Sequence, residues 1–175
     1  MLDDAVSITG YTLYRKDRHI RKGGGVCIFV KDNIKSFKLC LPNVENCGLE
    51  VLAILCTVGG NQFLILACYY PPKPVYSFEC FKSAISTDLD LLFSEFPMAT
   101  VIFAGDLNRL DCSFLINDLG LSYLKTGPTH GKNTLDKIYA SSSAPYRVVT
   151  LKSLMKTKHF CLKTKKTTHV NFQNN

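Results

Sequence analysis

Two apolar runs, Leu49 to Val58 and Phe63 to Tyr70, stand on either side of Gly59-Gly60-Asn61-Gln62. Turn residues between β-forming runs predict a hairpin. Neither run alternates cleanly between polar and apolar positions, so both strands are expected at the centre of a sheet with both faces covered. The next segment predicts a covering helix. From Ser77 to Phe96, the residues Phe78, Phe81, Ile85, Leu89, Leu92 and Phe96 recur at helical spacing, with Ser77 as N-cap and Pro97 as stop. Further strands are predicted over Gly24 to Lys31, Thr100 to Ala104, Leu135 to Ala140 and Tyr146 to Leu154. A short helix is predicted over Cys112 to Leu119 and a loop over Gly127 to Gly131. There is no internal repeat, low-complexity tract or interior linker.

At 175 residues, with 46% hydrophobic and 20% charged, one globular domain is expected. It is placed at 1–162, followed by a basic, frayed tail over 163–175. The net charge of +7 favours an anionic partner such as nucleic acid, although basic proteins without one are common. The 8 cysteines lie mostly in apolar runs without a C-x-x-C pair, and read as buried reduced thiols, neither zinc ligands nor a disulfide framework. The opening Met1-Leu2-Asp3-Asp4 carries no signal-peptide pattern, and no apolar run approaches the roughly 20 residues that span a bilayer. An intracellular protein, nuclear or cytoplasmic and without membrane association, is the expectation.

Four short polar segments lie at or beside the ends of apolar strands: Tyr69-Tyr70-Pro71-Pro72, Gly105-Asp106-Leu107-Asn108, Thr134-Leu135-Asp136 and Thr157-Lys158-His159. Strand ends distant in sequence can converge on one face of a sandwich. A carboxylate and an amide two residues apart, Asp106 and Asn108, suit one pocket. Asp106 would take a proton from water or hold a metal, while Asn108 donates to a phosphate oxygen. The competing explanation is an Asx turn that ends a strand, which Gly-Asp-x-Asn taken alone favours. The cluster Gly23-Gly24-Gly25 lacks the Gly-Lys-Ser/Thr ending of a phosphate loop.

These segments resemble, in order and approximate spacing, the motifs of the endonuclease/exonuclease/phosphatase superfamily, and most closely the apurinic-like endonuclease domain of non-LTR retrotransposons. The resemblance runs from Tyr11-Thr12-Leu13-Tyr14-Arg15-Lys16-Asp17-Arg18 through Gly23-Gly24-Gly25-Val26, Leu49-Glu50-Val51-Leu52, Cys68 to Pro72, Val101 to Asn108, Pro128-Thr129-His130 and Leu135-Asp136. It implies an α/β fold, a two-sheet DNase I-like sandwich with outer helices, shortened at its amino-terminal edge. It also implies Mg2+-dependent hydrolysis of phosphodiester bonds in DNA. By the same resemblance, Tyr69 contacts the scissile phosphate, and Asp106 and Asn108 position the attacking water and a phosphate oxygen. Asp136 orients His159, which stabilises phosphate charge. Glu50 is read as a sheet-edge or salt-bridging residue and His130 as a loop contact; His19 and His169 carry no assigned role.

The departures from the pattern set a second expectation. An asparagine and a metal-binding glutamate of the family precede the part seen here. The usual Ser-Asp-His is Thr157-Lys158-His159, so a carboxylate near the metal has become a cation. Efficient cleavage is therefore not expected. A nucleic-acid-binding remnant without turnover is the alternative, and a phosphatase for inositol phosphates is a weaker one. As a separate question, a fragment of a longer polyprotein is favoured over a decayed copy.

Overall fold

The computed structural model of the chain describes residues 6–18, 24–141, 144–153 and 157–167. His19, Gly23 and His169 lie outside them. The described elements are β1 (Tyr11–Asp17), β2 (Gly25–Lys31), β3 (Lys35–Leu39), α1 (Pro42–Asn46), β4 (Glu50–Val58), β5 (Asn61–Tyr69), α2 (Phe78–Glu95), β6 (Thr100–Asp106), α3 (Ser113–Asn117), β7 (Leu121–Tyr123), β8 (Asp136–Ser141), β9 (Tyr146–Leu151) and β10 (Cys161–Lys166). A six-stranded sheet in the order β3-β4-β5-β6-β8-β7 forms the centre, and β1-β2 and β9-β10 form two-stranded sheets.

The predicted hairpin is the middle of that sheet. β4 and β5 pair antiparallel from Glu50↔Tyr69 to Val58↔Asn61. Gly59 and Gly60 turn between them at φ of 56° and 79°, the left-handed pair that a tight hairpin requires and a β-carbon resists. β6 lies parallel to β5. A parallel neighbour needs a crossover, which α2 supplies. Ser77 caps α2 as its sequence predicts, its hydroxyl accepting from Cys80 N at 3.1 Å.

Alternation along the strands divides the sheet into two buried faces. On one, Val51, Ala53, Leu55, Leu64, Leu66, Val101 and Phe103 pack with Phe81, Ile85, Leu89 and Leu92 of α2. On the other, Ile54 and Cys56 pack against Val30 of β2, with Tyr14, Ile28 and Ile65 around them. This explains the continuous apolar runs of β4 and β5. The layer covering the second face is the β1-β2 hairpin.

A buried charge joins α1 to α2. Leu41, at the N-cap of α1, offers no side-chain cap. Asp88 of α2, 2% exposed, accepts instead from Asn43 N, Asn43 Nδ2 and Val44 N at 3.2, 2.7 and 2.9 Å. A carboxylate on the first-turn amides of a helix satisfies orphan donors and complements its dipole.

Three expectations need correction. β6 does not end before Gly105; it continues through Asp106, held by pairing to Tyr69 on one side and Asp136 on the other. The basic tail is not frayed from residue 163: through Lys166 it pairs with β9. There Leu162 and Thr164 are partly buried, while Lys163 and Lys165 are exposed. Residues 168–175 lie outside the described ones. The cysteines are all free, but only Cys56, Cys68 and Cys112 are buried; Cys27, Cys40 and Cys161 are exposed.

Candidate active site

One register line across the sheet assembles the site. Glu50 pairs with Tyr69, Tyr69 with Asp106, and Asp106 with Asp136. Directly paired residues point to the same face of a sheet. Neighbouring strands lie about 4.8 Å apart, so these four side chains form a row about 15 Å long. The row can be this tight because of Gly105: a Cβ there would lie 1.7 Å from Cys68 O. β5 and β6 therefore approach at a point where only glycine fits.

His159 reaches the row through the loop at Thr129. That residue is fully buried, and its hydroxyl accepts from Leu135 N and Asp136 N, both at 3.0 Å. Its carbonyl accepts from Phe160 N at 2.8 Å, and His130 bridges to His159. One loop residue thus grips the backbone at Asp136 and at residue 160. As a result His159 Nδ1 lies 2.9 Å from Asp136 Oδ2, inside the roughly 2.6–3.2 Å range expected of a carboxylate orienting an imidazole. The His130 ring stands beside it, with centroids 4.8 Å apart.

Asn108 follows β6 at φ 46°, the left-handed region that asparagine tolerates better than most residues. In that conformation its backbone N–H donates to Asp106 Oδ1 at 3.2 Å and its Nδ2 to Tyr70 O at 2.9 Å. An Asx turn and a site thus coexist at Gly-Asp-Leu-Asn. Burial pushes the Asp106 carboxyl above the usual carboxylate range; the Asn108 N–H opposes this and the Asp136 charge reinforces it. A cavity of about 500 Å3 adjoins the site, lined by Tyr70, Pro71, Asn108, Arg109, His130 and Leu135 among others.

All five side chains expected at the site, Tyr69, Asp106, Asn108, Asp136 and His159, lie on or beside this register line. Glu50 lies on it too, as the salt-bridging residue its sequence context suggests: Arg18 Nε and Nη2 donate to its carboxylate at 2.8 and 3.1 Å. The sequence alone gives Arg18 no role. A cation just ahead of a glycine cluster is the signal that could have found it.

Asp106, Asp136 and His159 present ligand atoms within 4.8 Å of one another. Two carboxylates suit a hard divalent cation, which keeps waters and binds through one or two carboxylates plus substrate phosphates. The donor set fits such an ion through Asp106 and Asp136. Lys158, next to His159, is exposed.

No protein-family profile matches the chain, and no curated protein matches it. Solved structures do. The endonuclease domain of TRAS1, a telomere-specific non-LTR retrotransposon, superposes with a TM-score of 0.68 at 11% identity, over 93% of this chain and 82% of that one. A mannosyl-6-phosphatase of Bacteroides thetaiotaomicron gives 0.60 at 16% identity, over 95% and 80%. The human Nocturnin catalytic domain gives 0.58 at 19%, over 93% and 75%. An endonuclease/exonuclease/phosphatase family protein of the same Bacteroides species gives 0.59 at 16%, over 93% and 77%. Identities this low speak to architecture, and the architecture is unambiguous: this chain has the DNase I-like α/β fold shared by the endonuclease/exonuclease/phosphatase proteins.

Proposed function

We propose that the chain hydrolyses phosphodiester bonds in DNA, as a retrotransposon-type endonuclease, with Mg2+ held by Asp106 and Asp136. The observation that carries this reading is the 2.9 Å contact between His159 Nδ1 and Asp136 Oδ2 beside Asp106. With Nδ1–H directed to the carboxylate, the imidazolium offers Nε2–H to a phosphoryl oxygen as charge develops there. Asp106, through the oxygen that does not accept from Asn108 N, takes the proton of the water that attacks phosphorus; the P–O bond to the leaving oxygen breaks, and that oxygen takes a proton from solvent water. Tyr69 donates its phenol O–H to the phosphate. Of the two N–H groups on the Asn108 amide, one goes to Tyr70 O and the second serves another phosphate oxygen. The cation, when bound, supplies charge neutralisation at the phosphate.

Turnover is slow in this reading. One oxygen of Asp136 already faces His159, Asp106 accepts from Asn108 N, and the Glu50 carboxylate is taken by Arg18 and Gly25 N. Few anionic oxygens remain for a cation, and affinity falls with ligand charge. Incubation with supercoiled plasmid should give nicked circles slowly, at a rate rising with Mg2+ and abolished by a chelator. Fast nicking at low Mg2+ would remove the claim of slowness. Binding of DNA without nicking at any Mg2+ concentration would favour a binding module, and hydrolysis of sugar or inositol phosphates alone would favour a phosphatase.

The binding module has one observation in its favour. Arg147 and Lys165 are direct partners across β9-β10, and both are exposed. Like charges directly opposite each other destabilise a hairpin, and an anion over them reverses that cost. Duplex DNA should therefore bind with an affinity that falls steeply as salt rises. Changing Lys163, Lys165 and Lys166 to serine should flatten the log–log salt slope by about 0.9 for each phosphate that a lysine no longer neutralises. An unchanged slope would place the DNA elsewhere.

A further inference from the structure

Gly24 and Gly25 hold φ of 98° and 114°, and both are needed for space. A Cβ at Gly24 would lie 2.6 Å from Arg18 Cζ, and one at Gly25 would lie 2.5 Å from Lys16 O. Gly24 thus leaves room for a guanidinium, which Glu50 grips with both oxygens, while Gly25 leaves room for the backbone of β1. Gly25 N donates to the same carboxylate at 2.8 Å. Arg18 Cζ lies 5.3 Å from the centroid of the Tyr69 ring, within cation–π range. Glu50 is only 7% exposed. Exchanging a buried ion pair for well-packed apolar side chains is often neutral or stabilising, so stability is a poor reason for this arrangement. Its address is a better one: Glu50 and Tyr69 are direct partners on the register line that leads to Asp106.

We propose that Arg18 is a positioning residue for the hydrolysis: clamped by Glu50 in the space left by Gly24, it fixes the ring of Tyr69 beside Asp106. The kinetic part of this inference rests on the phosphodiesterase reading; the structural part does not. A bidentate, planar contact that also stacks on an aromatic face is a task for arginine, which lysine cannot reproduce.

The test uses the full chain labelled with 13C in its tyrosine rings. The Tyr69 signal is identified by its loss in Tyr69→Phe. In Arg18→Gln and in Arg18→Lys the Tyr69 signal should shift and broaden as the ring gains freedom, while the signals of Tyr123 and Tyr139 stay in place. In plasmid nicking, Arg18→Gln should lower kcat by roughly 10–100-fold, the range typical of residues that orient a catalytic group, and change KM much less. The double variant with Tyr69→Phe should be no slower than the slower single one, because residues acting as a unit are not additive. An unchanged Tyr69 signal, or losses that multiply, overturns the inference. If no form of the chain nicks DNA, the phosphodiesterase reading fails and the ring signal still decides the role of Arg18. Should Arg18→Gln fail to fold, Arg18→Lys carries both measurements, since it keeps the charge and most of the stem.

Discussion

Replacing Asp106 with alanine should lower the nicking rate of the chain by roughly 10²–10⁴-fold, the contribution of a positioned general base. Asp106→Asn should be as severe. It keeps the shape of the side chain and an acceptor for the Asn108 N–H, but can neither take a proton nor attract a cation. Folding should survive both changes. Burial raises the Asp106 pKa in the folded protein, so ionising it weakens the fold at every pH above the carboxylate's unfolded value. At neutral pH the asparagine variant should therefore melt no lower than the unmodified chain. Nicking kinetics and thermal melting on the same preparations check both halves. Retention of most of the nicking rate by Asp106→Asn would remove Asp106 from the chemistry.

The largest effect on stability should come from Gly105→Ala. The added Cβ meets the carbonyl oxygen of Cys68 at 1.7 Å, and the obstacle is backbone rather than the end of a flexible side chain. β5 and β6 must separate locally, where Cys68 and Gly105 are register partners in the centre of the sheet. Overpacking of this kind costs about 2–4 kcal/mol, or roughly 4–16 °C in Tm for a chain of this size. Gly120→Ala is the control. Its φ is also positive, at 65°, but its Cβ would meet nothing within 4 Å, so it isolates the conformational cost, about 1–2 kcal/mol. If the two variants melt alike, close approach of the strands is not what demands glycine at Gly105. Because Tyr69 and Asp106 are the next pair along, any folded Gly105→Ala protein should also nick more slowly.

The parts of the fold legible in the sequence are those in which chemistry and geometry are local. A pair of glycines between β-forming runs forces a tight reversal, and β4 and β5 follow. Apolar residues at helical spacing between Ser77 and Pro97 make α2, because one face of a helix is all that spacing can build. Where local signals are weak, elements go unseen. β1 carries Arg15, Lys16 and Asp17, and β10 is half lysine, so each looks like a solvated segment. Both become strands through pairing with a neighbour, β1 with β2 and β10 with β9.

The candidate site divides in the same way. The sequence by itself determined which groups are available: a carboxylate and an amide after a buried strand, a tyrosine before two prolines, a carboxylate opening β8 and a histidine near the end. It also determined that Asp106 and Asn108 share a turn, since two residues of chain cannot separate them. What it left open is which residues stand side by side across strands. That is a matter of register, and a slip of one residue turns a side chain to the opposite face. Only the tertiary structure aligned Glu50, Tyr69, Asp106 and Asp136 in one row, because the packing of two buried faces permits a single register. Only there does Thr129, buried between two chain segments, bring residue 159 to residue 136. Arg18 finds its partner 32 residues away for the same reason: the charge was visible in the sequence, but the space that holds it exists only once β2 and β4 are in place.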